Sequence, residues 1–244
     1  MTSKFRLAFA AVVASAALIG SAATAPIAHA APNNDGAAAK QALDSIHPQA
    51  TDAASVIDGI EAANALLKKM GIAPFTPTVG ACTDFTLAPA LGGAMPGPNT
   101  PLMGDLTYEI LGKTYDVNAV KKGEVLYGFV PVGVFNDAES KKGMSVAWFN
   151  VNTMKGSISE PMDGLGETVV KAVAKRLNGA GVPLAEQVAE TLLLPLAKIL
   201  PANGARGGLV DTGSGTVLSA IYGTIKKGNA TCYFFPSLGI ATAK

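Results

Sequence analysis

Histidine and cysteine are scarce in this sequence, two of each in 244 residues, and their scarcity removes whole classes of chemistry. A structural zinc site takes four ligands at close spacings, whereas Cys82 and Cys232 supply two from opposite ends of the chain, so no metal is expected. A Ser-His-Asp hydrolase would have to work through His47, which sits beside Pro48 in an N-terminal helical region, and no G-x-S-x-G elbow is present. Charge is sparse too. Asp, Glu, Lys and Arg make up 15% of the chain against a usual quarter or so, and the formal net charge is +1. The lysines fall in separated pairs (Lys68-Lys69, Lys121-Lys122, Lys141-Lys142, Lys226-Lys227), and nucleic-acid affinity needs clustered cations, so no nucleic-acid partner is expected. Phosphate loops, dinucleotide fingerprints, EF-hand patterns and helical zinc motifs are all missing, so no cofactor is expected either.

What is present begins with an export signal. Lys4 and Arg6 precede the uncharged run from Leu7 to Gly20, which is too short to cross a bilayer, and Ala28-His29-Ala30 forms an A-x-A site. Residues 1–30 therefore read as a signal peptide cut before Ala31; a retained anchor is the alternative. No Cys follows the apolar run, so a lipoprotein anchor is not expected. The mature chain is expected to be secreted or held at the cell envelope, not integral to a membrane. Export places both cysteines in an oxidising compartment, where an intramolecular Cys82–Cys232 bridge is the simplest outcome. Two free thiols or an intermolecular bridge would also satisfy the sequence.

Residues 31–36 read as a flexible leader and 37–244 as one α+β domain. Its helical part spans 37–71, with a helix from Ala37 to Ile46 and a second from about Thr51 to Met70. The second carries an apolar stripe at Val56, Ile60, Ala63 and Leu67, and Gly71 caps it. A β region follows over 78–160. Cys82 lies in its first strand, Gly92 to Pro101 reads as a loop, and Glu124–Val134 and Met144–Val151 are its strongest strands. The second of these has large apolar groups on both faces and is expected to be covered on both. A two-helix insertion occupies 164–200, its second helix kinked at Pro195, and a hairpin over 215–243 turns at Lys226-Lys-Gly-Asn229. The expected fold is an antiparallel sheet or small sandwich with an N-terminal helical hairpin and this insertion.

Few residues suggest chemistry. Leu209-Val-Asp-Thr-Gly-Ser214 matches the aspartic-protease signature, in which two carboxylates share one proton. It occurs once and late, so the bland reading of Asp211 is a turn residue leading into a strand. Asp163 and Glu167 could share a face at a helix start, where the ordinary roles are cap and dipole partner. Trp148 and Phe149, with Tyr127 and Phe129, form an aromatic group that is either core or the lining of an apolar site.

The segments Gly123-Glu-Val-Leu-Tyr-Gly-Phe-Val-Pro-Val-Gly133, Gly143-Met-Ser-Val-Ala-Trp-Phe-Asn150 and Thr153-Met-Lys-Gly156 resemble an FVPxG…VAWxN…G strand pair in exported actinobacterial, Mycobacteriales-type proteins of unassigned activity. The similarity runs from about residue 72 to the C-terminus. It implies export and envelope association and supplies no site residues. The expected role is noncatalytic: binding an apolar, lipid or cell-wall partner. The alternatives are an exported hydrolase using Asp211, and an adhesive surface protein whose sheet edge pairs with a partner.

Overall fold

The computed structural model describes residues 53–110, 112–133, 135–137, 140–181, 183–194 and 203–244. The leader, the helix from Ala37 to Ile46, His47 and the kink at Pro195 lie outside them. Among the described residues three helices, α1 (Ala53–Lys69), α2 (Leu165–Gly179) and α3 (Ala185–Leu192), accompany eleven strands: β1 (Ala73–Cys82), β2 (Leu87–Pro96), β3 (Thr107–Ile110), β4 (Lys113–Asp116), β5 (Glu124–Pro131), β6 (Met144–Asn150), β7 (Lys155–Pro161), β8 (Asp163–Gly164), β9 (Arg206–Asp211), β10 (Gly215–Lys227) and β11 (Ala230–Ala243).

Nine strands form one sheet in the order β7-β6-β10-β11-β1-β2-β5-β9-β8, and each adjacent pair is antiparallel. Its two ends are joined covalently. β7 and β8 are separated in sequence only by Met162, so one nearly continuous stretch pairs first with β6 and then with β9. The Met162 N–H reaches back to the Met144 carbonyl at 3.0 Å across that seam. With β7 and β8 taken as one strand, the wall has eight members and curls into a near-closed barrel.

The interior is packed with side chains from all around the wall, among them Phe75, Tyr127, Phe129, Met144, Met162, Ile221 and Phe234. Edge-to-face contacts join Phe75 to Tyr127 and Phe129 to Phe234, at centroid separations of 6.4 and 5.0 Å. Small residues on the inner face of β2, Ala88, Ala90, Gly92 and Ala94, leave room for these rings. At Gly80 a β-carbon would lie 2.7 Å from the Phe234 ring, so an aromatic side chain inside the barrel demands glycine on the wall beside it.

A second core lies outside the barrel. Ala63, Leu66, Leu67 and Met70 of α1 and Val169 and Val173 of α2 cover the outward residues Leu91, Met95, Leu126 and Val130 of β2 and β5. The doubly covered strand is therefore β5, with Val125, Tyr127 and Phe129 inward and Leu126 and Val130 under helices. This corrects the expectation for Met144–Val151. β6 lies on the side of the barrel that the described helices leave bare, and its outward Phe149 is exposed.

Two further boundaries move. Gly92 to Pro96 belongs to β2 and is not loop, because the antiparallel register to β5 runs through both glycines, Gly93 also pairs with Pro74 of β1, and tight packing on each face favours residues without side chains. The first strand starts at Ala73 and ends at Cys82; Pro74 and Pro77 flank a register shift, where missing N–H donors are tolerated. The C-terminal hairpin turns through Gly228-Asn229, with Lys227 opposite Ala230 and Gly228 at φ +61°. Gly71 ends α1 at φ +79°, the Ile72 N–H donating to the Leu67 carbonyl at 2.9 Å.

Candidate functional site

Cys82 and Cys232 are direct partners across β1 and β11, and a disulfide joins them. The bridge staples the first strand of the barrel to the last.

The aromatic group splits between two environments. Tyr127, Phe129 and Trp148 face the barrel interior, while Phe149 faces out. The Tyr127 hydroxyl lies 2.8 Å from the Ser219 hydroxyl. Burial pushes the tyrosine up to about 12, with the Ser219 hydrogen bond opposing the shift.

Asp211 is the last residue of β9 and is exposed; its carboxylate accepts the Gly213 N–H at 3.2 Å. Asn150 organises the rest of the motif. Its amide donates to the carbonyls of Thr212, Gly213 and Ser214 at 2.9, 3.2 and 3.1 Å, and its oxygen accepts the N–H groups of Asn152 and Thr153. Thr212 is fixed from the other side, its N–H donating to the Gly123 carbonyl at 3.0 Å. Every contact of the Asp-Thr-Gly-Ser string is thus one a loop between two strands requires. Sequence reading missed Asn150, which sits at the end of an apolar strand like many surface residues.

Asp163 and Glu167 do not share a helix face. Asp163 pairs with Gly207 in β8, and α2 starts after Gly164, with Glu167 in its first turn 3.9 Å from Lys171. Among the described residues no cluster of three or more His, Cys, Asp or Glu could hold a metal, and no helix is long and apolar enough to cross a membrane. The chain matches no protein-family model, no curated protein and no solved structure.

The surface formed by the described residues carries a concave apolar feature. The stripe on α1 divides. Ala63 and Leu67 are fully buried in the outer core, but Val56 and Ile60, nearer the helix start, are only half-buried. Between them and the outer faces of β1 and β2 lies a groove of about 560 Å³, lined by Val56, Ile57, Ile60, Pro77, Val79 and Pro89. Thr78 and Glu61 are the two polar residues in its lining among the described residues. Proline at 77 and 89 helps to keep this floor apolar, since neither presents a backbone N–H.

Bare apolar surface continues from the groove around β1 and β11. Val79 is opposite Pro89, and two positions along, Leu87, Ala81 and Tyr233 form one outward row across β2, β1 and β11. Phe235 stands beside them, its carbonyl accepting the Thr78 hydroxyl at 2.6 Å. A separate outward row, Phe149, Leu218 and Ile240, crosses β6, β10 and β11 towards the other end of the barrel.

Proposed function

We propose that this chain is an exported, noncatalytic protein of the cell envelope that binds the acyl chain of a lipid in the groove between α1 and the β1–β2 hairpin. The carrying observation is the groove itself. Its volume is in the range of small-molecule sites, about 300–1,000 Å³, and its walls are apolar where an isolated domain would be expected to close over them. Export supports the assignment, because the leader and the disulfide both suit a chain that works where envelope lipids are. Among the described residues Glu61 is the one charged lining residue, and it disfavours a carboxylate head group at that rim, so an uncharged head group is the better match.

The adhesive alternative would rest on the outer edge of β7, which pairs with β6 on one side only, since the sheet closes through two residue pairs between β8 and β9. The hydrolase alternative would rest on Asp211, which is exposed and accepts the Gly213 N–H within the turn.

The test is displacement of a fluorescent apolar probe from the mature protein by a monoacylglycerol, together with native mass spectrometry of protein purified from its own envelope. Val56→Asp and Ile60→Asp place a charge on the groove wall and are expected to abolish uptake while the circular dichroism spectrum is unchanged. Wild-type protein that neither takes up the probe nor carries lipid would overturn the reading.

A further inference from the structure

Beside the groove, at the same end of the barrel, two hairpin tips stand next to each other: residues 83–86 between β1 and β2, and Gly228-Asn229 between β10 and β11. They are tied together tightly. The Thr83 N–H donates to the Thr231 carbonyl at 3.0 Å, and the Thr231 N–H donates to the Thr83 hydroxyl at 3.1 Å. Lys227 Nζ donates to the Thr86 hydroxyl at 3.1 Å, and the disulfide lies at the root of both tips. Asp84 completes the turn, accepting the Thr86 hydroxyl and N–H at 2.7 and 3.1 Å.

This rigid frame displays a phenyl ring. Phe85 is 99% exposed and sits at φ +63°, a left-handed conformation that a bulky side chain adopts at a cost and that glycine would adopt freely. A turn selected only for folding would put Gly or Asn there. Further from the tip on the outer face, Leu87, Tyr233 and Phe235 are 64, 57 and 64% exposed, and Lys226 and Lys227 lie on the adjacent tip. Apolar residues at a convex tip, an amphipathic tyrosine beside them and lysines behind are the composition of a surface that enters a lipid interface.

We infer that this end of the barrel docks on a lipid bilayer, with Phe85 and Leu87 entering the interfacial layer and Tyr233 and Phe235 lying at its level. The inference rests on the lipid-binding reading for its purpose: Leu87 is two residues from Pro89 on the same outer face, so docking sets the groove mouth beside the membrane from which an acyl chain would come. Charge plays a minor part. Lys226 and Lys227 against Asp84 leave the tips cationic by a single unit, so anionic lipid should strengthen docking only several-fold.

Co-sedimentation of the mature, oxidised protein with phosphatidylcholine vesicles, with and without phosphatidylglycerol, tests this. Wild type is expected to partition onto both. Phe85→Ala should weaken partitioning about tenfold and Phe85→Ala with Leu87→Ala about a hundredfold. Phe85→Gly should weaken it equally while raising the melting temperature, because glycine relieves the left-handed turn; a residue with a merely structural role would not move the two in opposite directions. Ile240→Ser, an exposed apolar residue at the other end of β11, should leave partitioning unchanged. The inference is overturned if wild type stays in solution, if Phe85→Gly binds like wild type, or if Ile240→Ser costs as much as Phe85→Ala. Protein that ignores vesicles yet takes up the apolar probe defeats the docking alone, and protein that docks yet takes up no probe defeats the groove reading alone.

Discussion

Tyr127 on β5 and Ser219 on β10 hydrogen-bond through their hydroxyls at 2.8 Å although their strands lie four places apart in the wall, on opposite sides of the barrel. A contact that spans the barrel this way means its middle is occupied by protein. That is why the functional reading rests on the outer surface, and it makes the pair a measurable element of stability. Tyr127→Phe leaves the buried Ser219 hydroxyl without this partner and is expected to cost about 1–3 kcal/mol in urea unfolding, while Tyr127→Phe with Ser219→Ala should cost less than Tyr127→Phe alone.

The same pair sets an alkaline limit. Tyr127 is raised in the folded state from 10.0 to about 12, so its contribution to stability is whole below pH 10 and is lost as pH rises towards 12. Spectrophotometric titration should show Tyr127 ionising near pH 12, and Tyr127→Phe should remove that step.

Asp137 and Arg206 form an ion pair with no exposed side-chain surface on either partner. Burial alone would raise the Asp137 carboxyl, but the Arg206 hydrogen bond and charge, the Gly204 N–H and Lys141 together hold it below 3.8. Its contribution is therefore present above pH 3.8 and is lost as pH falls through the lower folded value. Asp137→Asn leaves a buried guanidinium without its countercharge and should cost about 3–5 kcal/mol, whereas replacing both residues by apolar ones of similar volume should recover most of that. Acid unfolding midpoints compare the three proteins.

Reducing the disulfide should lower the melting temperature without changing the strand order, because Cys82 and Cys232 are already register partners. The bridge spans 150 residues, for which loop-closure entropy sets an upper figure of about 5 kcal/mol. Intact-mass analysis of the natural product should find residues 31–244, two hydrogens light.

Asn150→Ala should destabilise more than Asp211→Ala. Asn150 is fully buried and serves three carbonyls and two N–H groups, so its loss should cost about 2–4 kcal/mol. Asp211→Ala removes one exposed turn contact, worth under about 1 kcal/mol. Should the protein show peptidase activity that Asp211→Ala abolishes, the assignment of this loop as structural falls.

The amino-acid order alone was enough for whatever depends on near neighbours. The C-terminal hairpin, the end of α1 at Gly71 and the helices of the insertion were all legible, because turn residues and helical periodicity act within a few positions. So was the disulfide, since two cysteines in a chain expected to be exported have few other options. Tertiary structure decided the rest. Nothing local distinguishes Phe149, outward and bare, from Tyr127, inward and packed, because a strand's two faces are equivalent until helices cover one side of the sheet. Nothing local makes Gly92 part of a ladder, or divides the stripe on α1 so that Ala63 and Leu67 become core while Val56 and Ile60 wall a groove. Those outcomes follow from closure of the sheet through Met162 and from where the helices come to rest, contacts between residues far apart in the chain.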